Sequence, residues 1–367
     1  MRSVLRFLLW TASVGALACY LFLAFQDLRH PRPLDASERA LLVNAERIVA
    51  GQPLYREPAS LASAQVLPGF PVVLSVLVNV LGSRLWEPRV LSILALLACA
   101  LLLAIIILNE TTSRTMAAVG AGVLLLGCTL LTGPAARGQT ESLALLLVLS
   151  ACYSLRQFGE VTGALLGSLL LAAACFTDSL AGPFLVVAFI HCRMRDTRML
   201  IAFALGTALF LGGGYLWMSK AYGPWFNYQA SDVLLQTFRF DGAGLLHLLG
   251  GQLLGTFGVM TLTVVLSCAL PMRPWLGAVG MWTLLAIGGV AAAALATQSG
   301  ALASHALLPA ILGLALAGPL AMQRVTRHLS AWPGATRFGG EGLMLTALAL
   351  QFLQLAASAP LRMASTP

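Results

Sequence analysis

Fourteen carboxylates are spread over the 367 residues of this chain, and only a few of them stand where chemistry is within reach. Asp35-Ala-Ser-Glu38 has the spacing of a capping box, with Asp35 at a helix start and Glu38 reaching back to a free amide. The same two side chains are candidates to take a proton from a hydroxyl, the work of a general base. Glu141 opens an apolar run in "RGQTES", four residues after Arg137. The helix macrodipole alone favours a glutamate in a first turn, so Glu141 reads as a site residue or as a helix start. Arg137 is then a phosphate contact or its ion-pair partner. Asp178, in "CFTDSLAG", closes another apolar run, where an ionisable group marks function unless it is merely solvated. His305, in "SGALASHALLP", is placed to hydrogen-bond a phosphate or to sit as an ordinary interfacial residue. Residues 219–244 set Lys220 and Arg239 among Tyr222, Trp225, Phe226, Tyr228, Phe238 and Phe240. Ring faces stack on sugars and cations hold phosphates, yet the same mixture makes an aromatic belt at a membrane surface.

Other chemistries lack their residues. The sequence has no Asp-x-Asp, no His-x-x-x-His, no P-loop and no Gly-x-Gly-x-x-Gly, which excludes nucleotide-driven transport by this chain. All seven cysteines fall inside apolar runs, so neither a disulfide framework nor a zinc site is expected. No cofactor follows from the sequence. A divalent metal is not implied, and Glu38 with Glu141 would make only a weak pair of ligands.

These side chains are carried by a membrane protein. Hydrophobic residues make up 59% of the chain and charged ones 10%, against about 45–50% and about 25% in soluble domains, and the mean hydropathy is +0.86. A soluble enzyme, a disordered chain and a nucleic-acid binder are excluded. The +8 net charge comes from basic residues scattered between apolar runs, with no basic stripe. A spanning helix needs about 20 apolar residues, and eleven runs are candidates, several of them short for a bilayer: 4–25, 89–109, 116–133, 141–157, 161–178, 182–192, 199–218, 245–270, 275–296, 302–322 and 342–359. The first continues past its small residues to Phe25, as an uncleaved anchor does.

One further run, 66–82, decides the orientation. It opens with Pro68 and Pro71 and carries Asn79. If it does not span, one side receives Arg2, Arg6, Arg114, Arg156, Arg193, Arg195, Arg198, Arg273, Arg324, Arg327 and Arg337. Short cytoplasmic loops are the arginine-rich ones, so the run is expected not to span and the N-terminus to be cytoplasmic. Residues 26–88 then form an extracytoplasmic loop with two helices resting on the membrane. The first covers Asp35 to Ala50, with an apolar stripe of Leu41, Leu42, Ala45, Ile48 and Val49, and Arg39, Glu46 and Arg47 off it. The second is the 66–82 run itself. The whole of 1–367 reads as one integral-membrane domain: a first span over 1–25, the loop 26–88, the remaining spans over 89–359 with an outer loop at 219–244, and a tail at 360–367. Only one of the 22 basic residues is a lysine, a bias that fits a GC-rich bacterial genome and hence a bacterial cytoplasmic membrane.

In order, "ERALLVNAERIVAGQPLYREP", "LPGFPVVLSVLVNVLG" and "RVLSILALLACALLLAIII" resemble the start of the GT-C membrane glycosyltransferases. That superfamily includes protein mannosyltransferases, aminoarabinose transferases and oligosaccharyltransferases. The matching positions are Glu38, Ala45 to Tyr55, Pro68 to Gly82, and Arg89 to Ser92. "GQTESLALLLVLSACYSL" and "SHALLPAILGLALA" are similar to later segments of the family. The resemblance implies an all-α polytopic bundle of about 11 transmembrane helices whose first outer loop holds the catalytic carboxylate. It implies an inverting transferase that takes a sugar from a polyprenyl-phosphate donor to a lipid, glycan or protein acceptor in the cell envelope. By resemblance Glu38 is the general base with Asp35 as runner-up, and Glu141 is the second acidic position. Asp178 and Tyr55 line the substrate, and Arg137, Lys220, Arg239 and His305 are the pool of phosphate contacts.

The chain departs from the family in having Glu where Asp is frequent and no basic residue near Asp178. That keeps a second expectation open, a catalytically degenerate GT-C partner subunit of a polysaccharide pathway. A lipid or sugar transporter stands third, because no internal repeat is found and the apolar runs hold almost no ionisable residue.

Overall fold

In a bilayer a spanning backbone can satisfy its polar groups only within itself, and apolar runs of this kind therefore become helices. The structure is a computed structural model that describes residues 2–34, 36–55, 67–131, 138–228, 230, 246–270, 278–298, 307–330 and 337–363. Among them the regular structure is helical throughout. In chain order the helices are α1 (Arg2–Leu28), α2 (Ala36–Val49), α3 (Gly69–Leu81), α4 (Trp86–Thr111), α5 (Arg114–Leu131), α6 (Thr140–Gln157), α7 (Glu160–Thr177), α8 (Gly182–Arg195), α9 (Thr197–Thr207), α10 (Gly213–Tyr222), α11 (Pro224–Asn227), α12 (Gly255–Ala269), α13 (Ala278–Gln298), α14 (Leu308–Ser330) and α15 (Arg337–Met363). A π-helical turn, Ala208–Gly212, joins α9 to α10, and another, His247–Leu254, leads into α12.

Each of the eleven apolar runs is helical over its described residues, a terminal residue apart, and six helical stretches among the described residues are long and apolar enough to cross a membrane. At 13 residues α3 reaches about 20 Å, short of a hydrocarbon core of about 30 Å. The centre of the bundle is α14. Its most apolar stretch is 83% buried, against 17% for Thr197–Tyr222 at the periphery. Glycines let the backbones approach there: a Cβ on Gly289 would strike the Pro309 carbonyl, and one on Gly313 would meet Ala286. The outer faces of the helices expose Phe7, Phe22, Leu101, Leu205 and Leu353, which suits contact with lipid.

Two expectations need correction. α10 continues through Tyr222, so Lys220 and Tyr222 sit on a helix end rather than in a loop. On α2 the inward face is Glu38, Leu41, Leu42, Asn44, Ala45 and Arg47, while Val49 is exposed. The helix is held between a neighbour and a polar network, so its buried stripe is mixed: Leu41, Leu42 and Ala45 pack on Phe70, Leu74 and Val78 of α3.

α12 is broken at Phe257 (φ −117°, ψ 26°). Two glutamines of α15 take up the backbone groups freed by the break. Gln351 donates to the Thr256 carbonyl at 2.8 Å and accepts from Met260 N–H at 3.1 Å. Gln354 donates to the carbonyls of Leu254 and Gly255 at 3.0 and 2.9 Å. An irregular backbone at this depth needs such partners.

Candidate active site

α4 begins with Pro88-Arg89 at the head of a long apolar run. A guanidinium there must find acceptors, because burying an unpaired charge is costly. Arg89 is wholly buried and all five of its N–H donors are used. Nε and Nη2 form a two-pronged pair with Glu38 at 2.6 and 3.0 Å. Nη1 donates to the carbonyls of Asp27 and His30 at 2.6 and 2.7 Å, and Nη2 also to that of Arg32 at 2.7 Å. One side chain thus ties the end of α1, the segment after it and α2 to the start of α4.

Glu38 is equally occupied. Besides Arg89 it accepts from Leu34 N–H at 2.9 Å and from Gly138 N–H at 3.4 Å. A carboxylate offers about four lone-pair sites, and here all four are filled. The reach back to Leu34 is the capping contact that its spacing suggested, made one residue earlier than a capping box requires. The carboxylate is only 1% exposed.

Gly138 opens a short segment on which the other carboxylates converge. A Cβ at 138 would overlap Pro88. The Ser92 hydroxyl donates to the Gln139 carbonyl at 3.0 Å and accepts from its N–H at 2.8 Å. Thr140 Oγ1 donates to Asp178 Oδ2 at 2.6 Å, while Asp178 Oδ1 accepts from Leu180 N–H at 2.9 Å and caps the turn Ser179–Ala181. Glu141 follows, half-buried in the first turn of α6. Glu38, Glu141 and Asp178 are therefore gathered round 138–141. Asp178 is half-buried, and desolvation raises its pKa above the usual carboxylate value despite the two hydrogen bonds. Each of its oxygens accepts one hydrogen bond from the protein and has a lone pair to spare.

Tyr55 lies beyond the other end of α2, away from Glu38. Its ring is buried, edge-on to Tyr222 and Phe226, in a cluster that also takes in Leu54, Tyr215 and Trp225. It anchors the part of the first loop that follows α2 on α10 and α11, and burial raises its phenol pKa. Lys220, between Met218 and Tyr222 of this cluster on α10, is exposed. The end of α7 touches the same helix, since a Cβ on Gly214 would press on Phe176. Asp35, Arg137, Arg239 and His305 lie outside the described residues.

The sequence reading passed over Arg89 as a site residue, although a lone arginine heading a 20-residue apolar run demands an acidic partner. It also missed Ser92, Gln139 and Thr140, which carry no such signal. Glu87 was missed as well. It is fully buried, with Oε2 accepting from Arg84 N–H at 3.2 Å and Oε1 unpartnered.

With the fold and this geometry in view, the chain is similar to two crystal structures of ArnT from Cupriavidus metallidurans. Against the one bound to undecaprenyl phosphate the TM-score is 0.64 at 14% identity, covering 94% of this chain and 75% of that one. Against the apo state it is 0.60 at 12% identity with the same coverage. No protein-family model and no curated protein matches the sequence. A likeness at this identity is one of fold: the chain has the all-helical GT-C membrane fold and is a multi-pass integral membrane protein.

Proposed function

We propose that the protein is a membrane glycosyltransferase that takes a sugar from a polyprenyl-phosphate carrier on the extracytoplasmic face. The observation that carries this reading is the GT-C fold over 94% of the chain, shared with a protein solved with undecaprenyl phosphate bound. The convergence of three carboxylates at the end of the bundle where the first loop is pinned supports it.

In this reading Glu38 cannot take the proton, because its lone pairs are spent and Arg89 neutralises it. The general base passes to Asp35, the runner-up by sequence. Asp178 and Glu141 line the acceptor side. Arg137, Lys220, Arg239 and His305 remain the pool from which the leaving phosphate is held, and cations there stabilise the charge that develops as the sugar departs. Inversion at the anomeric carbon follows if the acceptor oxygen attacks opposite the phosphate.

A second reading keeps the fold without catalysis, as a partner subunit of a polysaccharide pathway. It is favoured by one observation: the best-placed carboxylates are engaged, Glu38 in the clamp and Asp178 in a cap.

The test is sugar transfer or donor hydrolysis by purified protein in lipid, over a panel of polyprenyl-phosphate sugars. Asp35→Asn is expected to lower turnover at least about 100-fold with donor binding retained, as for loss of a general base. Donor binding without turnover on any sugar would move the protein to the partner reading. Turnover that survives in Asp35→Asn but is lost in Asp178→Asn would transfer the base to Asp178.

A further inference from the structure

A second polar cluster lies at the opposite end of the bundle. α4 has 26 residues, which puts about 39 Å between Trp86 and Thr111. At the far end Glu110 Oε1 accepts from Arg156 Nε of α6 at 3.0 Å and from Trp282 Nε1 of α13 at 3.4 Å. Gln323 of α14 donates to the Thr111 carbonyl at 3.3 Å. Arg195 of α8 caps α6 through Nη1, at 2.8 Å from the Leu155 carbonyl and 3.2 Å from that of Arg156. Four helices are thus fastened around the end of α4.

The cluster leaves donors open. His191 stands one turn before Arg195 on α8, is 7% exposed, and its Nε2 is buried without a partner. The charges that bear on its ring are Arg195 and Arg156. Neither guanidinium is used up: Arg156 bonds only through Nε and Arg195 only through Nη1. Arg324, next to Gln323, has a buried Nε that also lacks an acceptor. Against these cations the cluster sets Glu110; Asp196, next to Arg195, is engaged in capping α9, and Glu160 is exposed at the start of α7. A buried polar atom is normally hydrogen-bonded; with its proton on Nε2 the imidazole donates, and beside two guanidiniums with open N–H groups it calls for an anion.

We propose that His191, Arg195 and Arg156 bind the phosphodiester headgroup of an anionic phospholipid. Arginine forks match phosphate oxygens, and basic pockets between transmembrane helices suit such headgroups. The surroundings favour a lipid over a free ion. Ile190, beside His191, Phe158 at the end of α6 and Val161 at the start of α7 are exposed apolar side chains at this end, a wall along which acyl chains can lie. The site is separate from the candidate active site and does not depend on whether transfer occurs there.

The experiment titrates full-length protein in detergent with short-chain phosphatidylglycerol, phosphatidylcholine or inorganic phosphate, with bound molecules counted by native mass spectrometry and melting followed in parallel. Phosphatidylglycerol is expected to bind saturably, one per chain, and to raise the melting temperature, while phosphatidylcholine does neither. Arg195→Gln is expected to weaken binding at least about 10-fold, the scale of one charge-assisted contact. Arg193→Gln, the same charge loss at another exposed position on the same helix, should change it less than about 2-fold. If Arg195→Gln does not fold, His191→Gln tests the same pocket with no loss of charge and should weaken binding in the same direction. Equal binding of both lipids would overturn the proposal. So would equal weakening by Arg193→Gln, which would mean diffuse surface charge, or occupancy by inorganic phosphate with no lipid bound.

Discussion

At the scale of single residues, the decisive contact is Glu38 with Arg89. Removing one partner of a buried ion pair costs about 3–5 kcal/mol, because the other charge is stranded. Arg89→Ala is therefore expected to lower the melting temperature sharply or prevent folding. Glu38→Leu with Arg89→Met should recover only the part due to the stranded charge, because the carbonyls of Asp27, His30 and Arg32 and the amides of Leu34 and Gly138 stay without these partners, read by thermal denaturation in detergent. Asp178 makes a different prediction. Its folded-state pKa is raised, so it contributes stability at pH values below the ordinary carboxylate pKa, and that contribution is lost as pH rises through the raised value. Asp178→Asn should remove this slope: the wild type should lose stability relative to the variant as the pH climbs out of the acid range, in matched melts. Little of this was legible beforehand. Glu38 was found by its place in the first turn of α2, but the partner that fills its lone pairs is 51 residues away, and no local pattern joins them.

At the scale of elements the sequence was far more informative. Each apolar run became a helix because length and apolarity leave a spanning segment no other choice, and Pro68 fixed the start of α3 to within a residue. What stayed hidden were the departures from regular helix. A mid-helix Gln351 or Gln354 reads as nothing until the break in α12 shows which backbone groups they satisfy. Gln351→Leu would leave the Thr256 carbonyl and Met260 N–H without that partner, at about 1–3 kcal/mol for a buried unsatisfied group; equilibrium unfolding in mixed micelles measures it. The packing of α3 gives another test. A Cβ on Gly69 would overlap Thr177 Oγ1 and lie 2.9 Å from the Phe176 carbonyl. Gly69→Ala should therefore push α3 off the end of α7 and disturb the adjacent Asp178. Transfer activity would fall more than the melting temperature, and equal losses in both would argue that α3 serves stability alone.

At the scale of the whole molecule the two polar clusters divide the labour: one end fastens the first loop and gathers carboxylates, while the other fastens helix ends and collects arginines. The arginine distribution predicts which end faces the cytoplasm. An epitope inserted after exposed Gln52 should be reached from outside intact cells, and one after Asp196 only once the membrane is opened; the reverse pattern would invert the orientation. The clamp also has a consequence for how the chain is made. Residues 27–38 are synthesised long before Arg89 leaves the ribosome, so until α4 enters the membrane Glu38 has no counter-charge and the carbonyls of Asp27, His30 and Arg32 lack their donor. Nascent chains stalled before residue 89 should therefore carry a first loop open to protease, and chains long enough for α4 to have entered the membrane a closed one. Arg89 acts as the latch that times the loop's maturation to the arrival of the second long helix.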